Sequence, residues 1–402
     1  MKYIVILGDG MADWPVEKLN NKTPLEVANK PVIDNLCKNG TLGLVKTVAD
    51  GIKPGSDVAN LSVMGYDIKK YYTGRSPLEA ASIGVSLKDD DITFRCNLVT
   101  LSDETDYCQK TMLDYSSGEI TTDEARQIME TIAKELNTDC IKFYPGISYR
   151  HLMVWTGGST NVKLTPPHDI SDKKVTGHLP EGDGADIIAD MMKKSEAILK
   201  NHPVNISRKE RGLAPATSIW LWGEGKKATL DSFKEKFNKD AAVISAVDLI
   251  RGIGICADMQ IIDVPGITGN IDTNFEGKAE AALNALLCGK DLVYVHMEAP
   301  DECGHHGEVE NKVKAIEYID NKVVKYIKEG LDKAGVDYKF LILPDHPTPL
   351  SIKTHSSDPV PFVIYDSTKQ KNNPYTYTEA NAKQTGLYID PGHDLMPYFL
   401  KD

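Results

Sequence analysis

The chain has 402 residues, 41% of them hydrophobic and 26% charged, a composition typical of a globular protein with a sizeable core. Acidic residues outnumber basic residues by 58 to 46, and the net charge of −12 argues against a general nucleic-acid binder or a protein of anionic membranes. The seven cysteines form no CxxC pair, which argues against a disulfide framework or a zinc ribbon and predicts reduced thiols in a cytoplasmic protein.

Short apolar runs predict buried β-strands, with helix-like stretches between them. The runs are Tyr3–Leu7, Leu292–His296, Phe340–Leu343 and Pro361–Tyr365. Their length and their valine and isoleucine content suit parallel strands covered on both faces. The first run is too short for a signal peptide or a membrane span. Helical spacing of apolar residues is clearest in Lys312–Gly330. Strands that alternate with helices predict a doubly wound α/β sheet.

The middle of the chain differs in character from both ends. Residues from about 100 to 250 hold polar loops, proline-containing turns and alternating segments such as Tyr149–Thr156. We predict an inserted α+β domain at residues 99–251, which interrupts a sheet domain formed by residues 1–98 and 252–402.

Acidic and histidine side chains follow three of the predicted strands, at the point where each strand ends. They are Asp9 after the first strand, Asp301, His305 and His306 after the second, and Asp345 and His346 after the third. In open α/β sheets, ligands bind beyond the carboxyl ends of the strands. The sequence therefore predicts that these side chains meet at one edge of the sheet.

The sequence leaves the roles of the other histidines near these strands open. His355 joins the group if the loop before the last predicted strand folds back. His296 lies inside its strand and is interpreted as a buried core histidine. Spacing alone does not choose between His305 and His306.

The mixture of imidazole and carboxylate groups indicates a metal site. It suits Zn, Mn or Fe better than an all-oxygen set would. The groups outnumber the ligands of one tetrahedral ion, and two ions roughly 3.5–4 Å apart form a clamp for phosphoryl displacement. A binding protein with a structural metal is the alternative.

Ser56 follows Pro54-Gly55 and begins a helix-like stretch. A serine at a helix start is commonly an N-cap. Beside a metal, its hydroxyl would instead lose its proton and act as a nucleophile, and the helix-end amides would favour a bound phosphate. The local sequence leaves both interpretations open.

The order of these motifs resembles the cofactor-independent phosphoglycerate mutases of the shorter archaeal type, within the alkaline phosphatase superfamily. The resemblance rests on ILGDGMAD, GSDVANLSVMGYD, GRSPLEAASIGV, VPGITGNIDTNFEGKAEAAL, DECGHHG, LPDHPTP and KTHSSDPVPFVIY, which run through most of the chain. It implies an alkaline-phosphatase-like sheet domain with an inserted α+β domain.

The resemblance also implies a role for each matching residue. The matching ligands are Asp9, Ser56, Asp345 and His346 for one metal, and Asp301, His305 and His355 for the other. This choice favours His305 over His306. Ser56 is also the nucleophile that becomes phosphoserine, and Lys278 matches a lysine that holds the phosphoryl group.

A family mutase transfers phosphate from 3-phosphoglycerate to the serine and returns it to the other hydroxyl of glycerate. The metal is typically Mn²⁺, with Mg²⁺, Zn²⁺ or Co²⁺ in some members, and no organic cofactor is expected.

Arginine is suited to a bidentate grip on phosphate or carboxylate, which makes the arginines of the middle region candidates for substrate binding. The candidates are Arg150, His151, Arg208, Arg211 and Arg251. The spacing of Asn205, Arg208 and Arg211 is similar to a substrate-gripping stretch of the mutases. Arginines that only face solvent are the alternative for each position.

Some segments are similar to a branch of the same group that is suspected of acting as a homoserine kinase. They are Glu298–Glu302, SYRHLMVW and Trp220–Gly223. No P-loop GxxxxGK[ST] is present, so such a kinase would use the metals and Ser56. We expect a cytoplasmic phosphoglycerate mutase that acts on a small phosphorylated substrate, with a homoserine kinase or a phosphatase of the superfamily as alternatives. Neither a nucleic acid nor a membrane is an expected partner, and the sequence does not predict the oligomeric state.

Overall fold

A computed structural model describes residues 1–401. Its strands are, in chain order, β1 (Lys2–Gly8), β2 (Thr41–Val45), β3 (Asp91–Leu101), β4 (Met112–Asp114), β5 (Ile141–Tyr144), β6 (Arg150–Thr156), β7 (Val162–Lys163), β8 (Glu181–Gly182), β9 (Ser218–Lys226), β10 (Ala241–Ile244), β11 (Gln260–Ile261), β12 (Leu292–Met297), β13 (Tyr338–Leu343), β14 (Val360–Asp366) and β15 (Tyr388–Ile389).

The α-helices are α1 (Pro24–Val27), α2 (Pro31–Lys38), α3 (Ser56–Val63), α4 (Ile68–Tyr71), α5 (Ser76–Ser82), α6 (Thr122–Leu136), α7 (Ala185–Leu199), α8 (Pro203–Glu210), α9 (Phe233–Phe237), α10 (Asp248–Cys256), α11 (Phe275–Leu287), α12 (Ala299–His306), α13 (Val309–Tyr318), α14 (Lys325–Ala334), α15 (Glu379–Gln384) and α16 (Leu395–Leu400). A π-helical stretch, Ile319–Val324, joins α13 to α14. None of the helices in residues 1–401 combines the length and the apolar character that a membrane crossing requires.

The first compact unit, Met1–Tyr72 with Thr229–Asp402, is built on one mixed sheet. Its strand order is β11-β10-β12-β1-β13-β14-β2-β15. The central strand β1 is parallel to both of its neighbours, β12 and β13. The predicted α/β fold class is confirmed.

The sheet is covered on both faces. Ile4 of β1 lies on one face, in the core that α2, α11 and α14 help to form. Tyr3 lies on the other face, where its ring meets that of Phe399 in α16 edge to face. Because neither face of β1 contacts water, every position from Tyr3 to Leu7 is apolar and buried.

The last predicted strand runs in the opposite direction from the prediction. β14 pairs antiparallel with both β13 and β2. A continuous apolar run reports burial on both faces and carries no information on strand direction. The direction is seen only in the pairing of β14 with its neighbours.

The second compact unit is Thr73–Ala228, and it is built on an antiparallel sheet. β3 is its central strand, pairing with β4, β6 and β9, and β5 pairs with β6. The helices α6 and α7 contribute to the core of this unit. A separate two-stranded ribbon is formed by β7 and β8.

The borders of the units differ from the predicted borders at 98/99 and 251/252. The predicted border at 98/99 falls inside β3, which pairs along its length with strands of the second unit. The predicted border at 251/252 assigns β10 to the inserted domain, although β10 is parallel to β12 in the first sheet. Strand pairing, which local composition does not reveal, therefore sets the borders.

We expect Ile4→Ala to destabilise the first unit by about 2–5 kcal/mol, because the substitution leaves a cavity beside the central strand. Ile4 is 0% exposed, whereas Ile255 is 41% exposed and provides a matched control. Ile255→Ala should change the free energy of unfolding by no more than about 0.5 kcal/mol. Urea denaturation followed by circular dichroism would measure both values, and equal losses would contradict the assignment of β1 to the core.

Candidate metal centre and nucleophile

The carboxyl ends of three parallel strands deliver three aspartates to one place. The register aligns Gly8 of β1 with Met297 of β12, and Leu7 of β1 with Leu343 of β13. The aspartates that follow these strand ends are Asp9, Asp301 in the first turn of α12, and Asp345. The parallel pairing therefore brings Asp9 together with Asp301 and Asp345, which lie about 290 and 340 positions further along the chain.

The three aspartates and two histidines form two overlapping groups of possible metal ligands. Asp301, His346 and His355 form one group, and Asp9, Asp345 and His346 the other, with ligand atoms within 4.8 Å of one another in each group. His346 belongs to both groups. The arrangement therefore offers two neighbouring positions for cations, with His346 as a ligand common to both.

His305 lies beside the first group and His306 does not. The Nε2 atom of His305 is 3.2 Å from Asp301 Oδ2 and 3.0 Å from His355 Nε2. The side chain of His306 is 60% exposed, and its nearest acidic partners are Glu308 at 3.8 Å and Glu302 at 4.0 Å. Of the two histidines that spacing could not separate, only His305 is placed to bind a metal with Asp301.

Ser56 is the first residue of α3, and its hydroxyl faces the same cluster. Its Oγ is 3.2 Å from His346 Nε2 and donates a hydrogen bond to Asp9 Oδ2 at 3.4 Å. The N-cap of α3 is Gly55. The Ser56 side chain therefore contacts the candidate metal ligands, and the capping interpretation does not apply to it.

The electrostatics of the cluster favour positive charge. Burial raises the pKa of Asp9 well above its ordinary value, and the charges of Asp345 and Asp301 raise it further. Burial also opposes ionisation of Asp301, but hydrogen bonds from His305 and His355 hold its pKa well below its ordinary value. A site of this kind binds either protons on its imidazoles or metal cations.

The environment of one buried oxygen of Asp9 shows whether the site is suited to a metal. Among residues 1–401, Asp9 Oδ1 has no hydrogen-bond partner, although Asp9 is only 1% exposed. A buried carboxylate oxygen without a donor is costly unless a cation binds it. Because neighbouring carboxylates and imidazoles surround it, the residues fit a divalent metal of the Mn or Zn type.

Hydrogen bonds that the sequence analysis missed orient the ligands. Asn60 donates its side-chain amide to Asp345 Oδ2 at 2.8 Å and accepts a hydrogen bond from the hydroxyl of Tyr294 at 2.7 Å. The hydroxyl of Thr348 donates to Asp301 Oδ1. Asn60 follows Ser56 by four residues in a helix, and this spacing could have indicated that both side chains share one face.

His296 is buried as expected, but it is more than a core residue. Its Nε2 is 2.9 Å from Asp9 Oδ2, and its Nδ1 is 3.1 Å from the hydroxyl of Ser245. Burial lowers the pKa of His296 to about 3, so the ring is neutral and donates one hydrogen bond. Its position inside an apolar run concealed this contact.

Lys278 lies in the first turns of α11 and is fully buried. Its Nζ donates to the backbone oxygen of His296 at 2.9 Å. Burial lowers the pKa of Lys278 to about 8, against the opposing charge of Glu298. The contact with His296 puts the ammonium group near the residues that surround Asp9, and its role in holding a phosphoryl group stays a prediction.

Arg150 and His151, both predicted to bind substrate, form no ion pair with a carboxylate among the contacts described for residues 1–401. Arg150 is exposed, with its guanidinium 5.1 Å from the centroid of the Tyr149 ring. His151 is buried, and its Nδ1 accepts a hydrogen bond from the Gly146 N–H at 3.0 Å. Burial lowers the pKa of His151 to about 3, so this ring is neutral.

The other predicted arginines are held by carboxylates of the protein. Arg208 and Arg211 both form ion pairs with Glu124, and Arg208 is 2% exposed. These contacts favour a structural role for Arg208. Arg251 lies on α10 in the first unit, where it pairs with Asp263 at 2.8 Å. Substrate binding by these residues stays a prediction.

Comparisons with known proteins agree with this geometry. Residues 37–205 match the family model described as 2,3-bisphosphoglycerate-independent phosphoglycerate mutase. A Geobacter sulfurreducens protein named "Probable 2,3-bisphosphoglycerate-independent phosphoglycerate mutase" is 51% identical over 401 residues, covering 100% of both chains. The "2,3-bisphosphoglycerate-independent phosphoglycerate mutase" of Methanosarcina barkeri is 47% identical over 403 residues, again covering 100% of both chains.

Solved structures share the fold along the whole chain. The PH0037 protein from Pyrococcus horikoshii is 28% identical with a TM-score of 0.82, and the match covers 99% of this chain and 96% of that one. The cofactor-independent phosphoglycerate mutase from Thermoplasma acidophilum has a TM-score of 0.67 at 23% identity, with 100% of both chains covered. From the full-length identities and the shared fold, we conclude that the chain belongs to the 2,3-bisphosphoglycerate-independent phosphoglycerate mutase family.

Proposed function

We propose that this protein interconverts 3-phosphoglycerate and 2-phosphoglycerate by phosphoryl transfer through Ser56, assisted by two divalent cations, with Mn²⁺ as the first candidate. The observation that carries the proposal is the position of the Ser56 hydroxyl, within 3.4 Å of both His346 and Asp9 in the buried ligand cluster. The names of the full-length relatives support a mutase over a homoserine kinase or a phosphatase.

The cations would be held by the groups that the strand ends bring together. These are Asp9, Ser56, Asp345 and His346 for one ion, and Asp301, His305 and His355 for the other. When bound, the ions supply positive charge that favours the ionised serine hydroxyl and offsets the charge of the phosphoryl oxygens.

The chain supplies the nucleophile and its orientation. The Oγ of Ser56 attacks the phosphorus of 3-phosphoglycerate, the bond from phosphorus to the C3 oxygen breaks, and that oxygen takes a proton. The C2 oxygen of the same glycerate then loses its proton and attacks the phosphoserine, which returns the phosphoryl group and frees Ser56. The cycle consumes neither water nor a nucleotide, because each phosphoester bond that breaks is replaced by another.

Lys278 is suited to hold the transferred group. Its ammonium is buried, and its contact with the backbone oxygen of His296 fixes it near the residues around Asp9. A fixed cation in a water-poor site stabilises charge that develops on phosphoryl oxygens. Arg150 is exposed and is a candidate for binding an anionic group of the substrate.

The activity itself can be tested by supplying the purified protein with Mn²⁺ and 3-phosphoglycerate alone. Phosphorus NMR should show 2-phosphoglycerate without any nucleotide or bisphosphoglycerate. A parallel reaction with homoserine and ATP should yield no phosphohomoserine. Phosphohomoserine in the second reaction, or free phosphate as the main product of the first, would reject the mutase assignment.

Ser56→Ala should reduce turnover to the detection limit, because the hydroxyl carries the phosphoryl group. The remaining ligands should keep Mn²⁺ bound, as measured by metal analysis after gel filtration. Ser62→Ala, on the same helix, is the matched control and should retain turnover. Turnover by the Ser56 variant would rule out the phosphoserine route.

Asp345→Ala should lose both bound Mn²⁺ and activity, because a site that lacks one ligand binds its ion poorly. Asp89→Ala is the control, since this carboxylate is 97% exposed and pairs with Lys227 instead. Metal analysis and the mutase assay would be run on both variants. If the Asp345 variant bound Mn²⁺ as tightly as the unaltered protein, Asp345 would not be a ligand.

A further inference from the structure

A buried charged pair lies beside the metal centre and has no part in the proposed phosphoryl transfer. Lys312, in the first turn of α13, has its Nζ 2.7 Å from Oδ2 of Asp13, and their side chains are 0% and 1% exposed. Replacing a buried ion pair by apolar residues is often neutral or even stabilising. Stability alone therefore does not explain why these two buried positions carry charged side chains. The contacts of the pair suggest another role.

Lys312 connects two loops that carry proposed ligands. The β1 loop, residues 9–13, begins with Asp9, and the β13 loop, residues 344–350, contains Asp345 and His346. Besides Asp13, the ammonium of Lys312 contacts the backbone oxygen of Thr348 at 2.8 Å and that of Ala12 at 3.4 Å. A side chain from a third element is thus bonded to both loops.

Asp13 makes the same connection from the opposite side. Its carboxylate oxygens accept the backbone N–H of Leu350, at 3.2 Å for Oδ2 and 3.3 Å for Oδ1. It also accepts the backbone N–H of Trp14 at 2.8 Å. Each member of the pair is therefore bonded to the β1 loop and to the β13 loop.

Thr348 connects Lys312 to the proposed ligands Asp301 and His346. Its backbone oxygen contacts Lys312, while its hydroxyl donates to Asp301 Oδ1 and lies 3.3 Å from His346 Nδ1. The fit is close, because a Cβ atom on Gly10, where φ is +62°, would lie 2.5 Å from the Thr348 hydroxyl. A shift of the β13 loop would therefore move a contact of Asp301.

We propose that the Lys312–Asp13 pair is a positioning element that holds the β1 loop and the β13 loop at the separation at which Asp9, Asp301 and His346 bind metal together. The proposal rests on the metal centre of the proposed function, and it is independent of the substrate. Partners that orient ligands typically change metal affinity by about 10–100-fold when they are removed.

The test is Mn²⁺ binding by the metal-free full-length protein, measured from the electron paramagnetic resonance signal of free Mn²⁺. Lys312→Met leaves Asp13 unpaired, and the double variant Lys312→Met with Asp13→Leu removes both charges. We expect the Mn²⁺ dissociation constant to rise by about 10-fold or more in both variants. Thermal unfolding would be recorded for the same samples.

A matched control separates positioning from general stability. Lys30 is also buried in the first unit and pairs with Asp34 at 3.0 Å, without a contact to the proposed ligands among residues 1–401. Lys30→Met should lower the melting temperature while the Mn²⁺ dissociation constant stays within about twofold of the unaltered value, because outer contacts affect a metal only through its ligands. A rise as large as that of the Lys312 variant would show that affinity only follows stability, and would overturn the proposal.

The decisive result is the affinity of the double variant. An unchanged Mn²⁺ dissociation constant in a folded double variant would overturn the proposal. If that variant does not fold, Asp13→Asn keeps the shape of the side chain and takes its place, with the same expected rise and the same contrary outcome. Because the measurement uses Mn²⁺ without phosphoglycerate, a protein that fails the mutase assay can still confirm or reject this inference.

Discussion

The mutual repulsion of three buried carboxylates is the constraint on which the centre depends. Asp9, Asp301 and Asp345 are all at most 5% exposed, and each follows a strand of the same parallel set. Parallel pairing forces the strand ends together, so the fold itself creates the concentration of negative charge. Imidazoles offset part of that charge, and the unpartnered oxygen of Asp9 indicates that cations offset the rest.

Because strand pairing brings the groups together but gives their side chains no fixed orientation, the protein adds directional hydrogen bonds. Asn60 and Thr348 orient two of the carboxylates, and His296 contacts the third. Ser56, the proposed nucleophile, and Asn60 share a single helix, α3. The same helix therefore fixes the position of the Ser56 hydroxyl and of a hydrogen-bond donor to Asp345.

The second unit carries four of the five candidates for substrate binding, whereas Arg251 lies in the first unit. Its antiparallel sheet has its own core, and Glu124 pairs with Arg208 and Arg211, which the sequence presented as candidates through their chemistry and their spacing. Arg150 remains exposed and has an aromatic ring as its neighbour. The fold of the first unit by itself does not define the substrate.

The sequence by itself determined the fold class, four of the eight strands of the first sheet and the approximate position of the candidate ligands. It could do so because buried strands produce continuous apolar runs, and because ligands of parallel sheets lie beyond the carboxyl ends of strands. Asp9, Asp301 and Asp345 were found on this basis, and the family resemblance separated His305 from His306. Local pattern and strand-end chemistry were sufficient for these features.

The tertiary structure alone decided the direction of β14, the borders of the units and the partners of the buried polar groups. Strand direction and borders depend on which strands pair, and pairing can join segments far apart in the chain, such as β1 and β12. The contacts of Lys312 with Asp13 and of Asn60 with Asp345 span 299 and 285 positions. Periodicity reports only whether a side chain is buried, whereas its partner is set by the order of strands in the sheet.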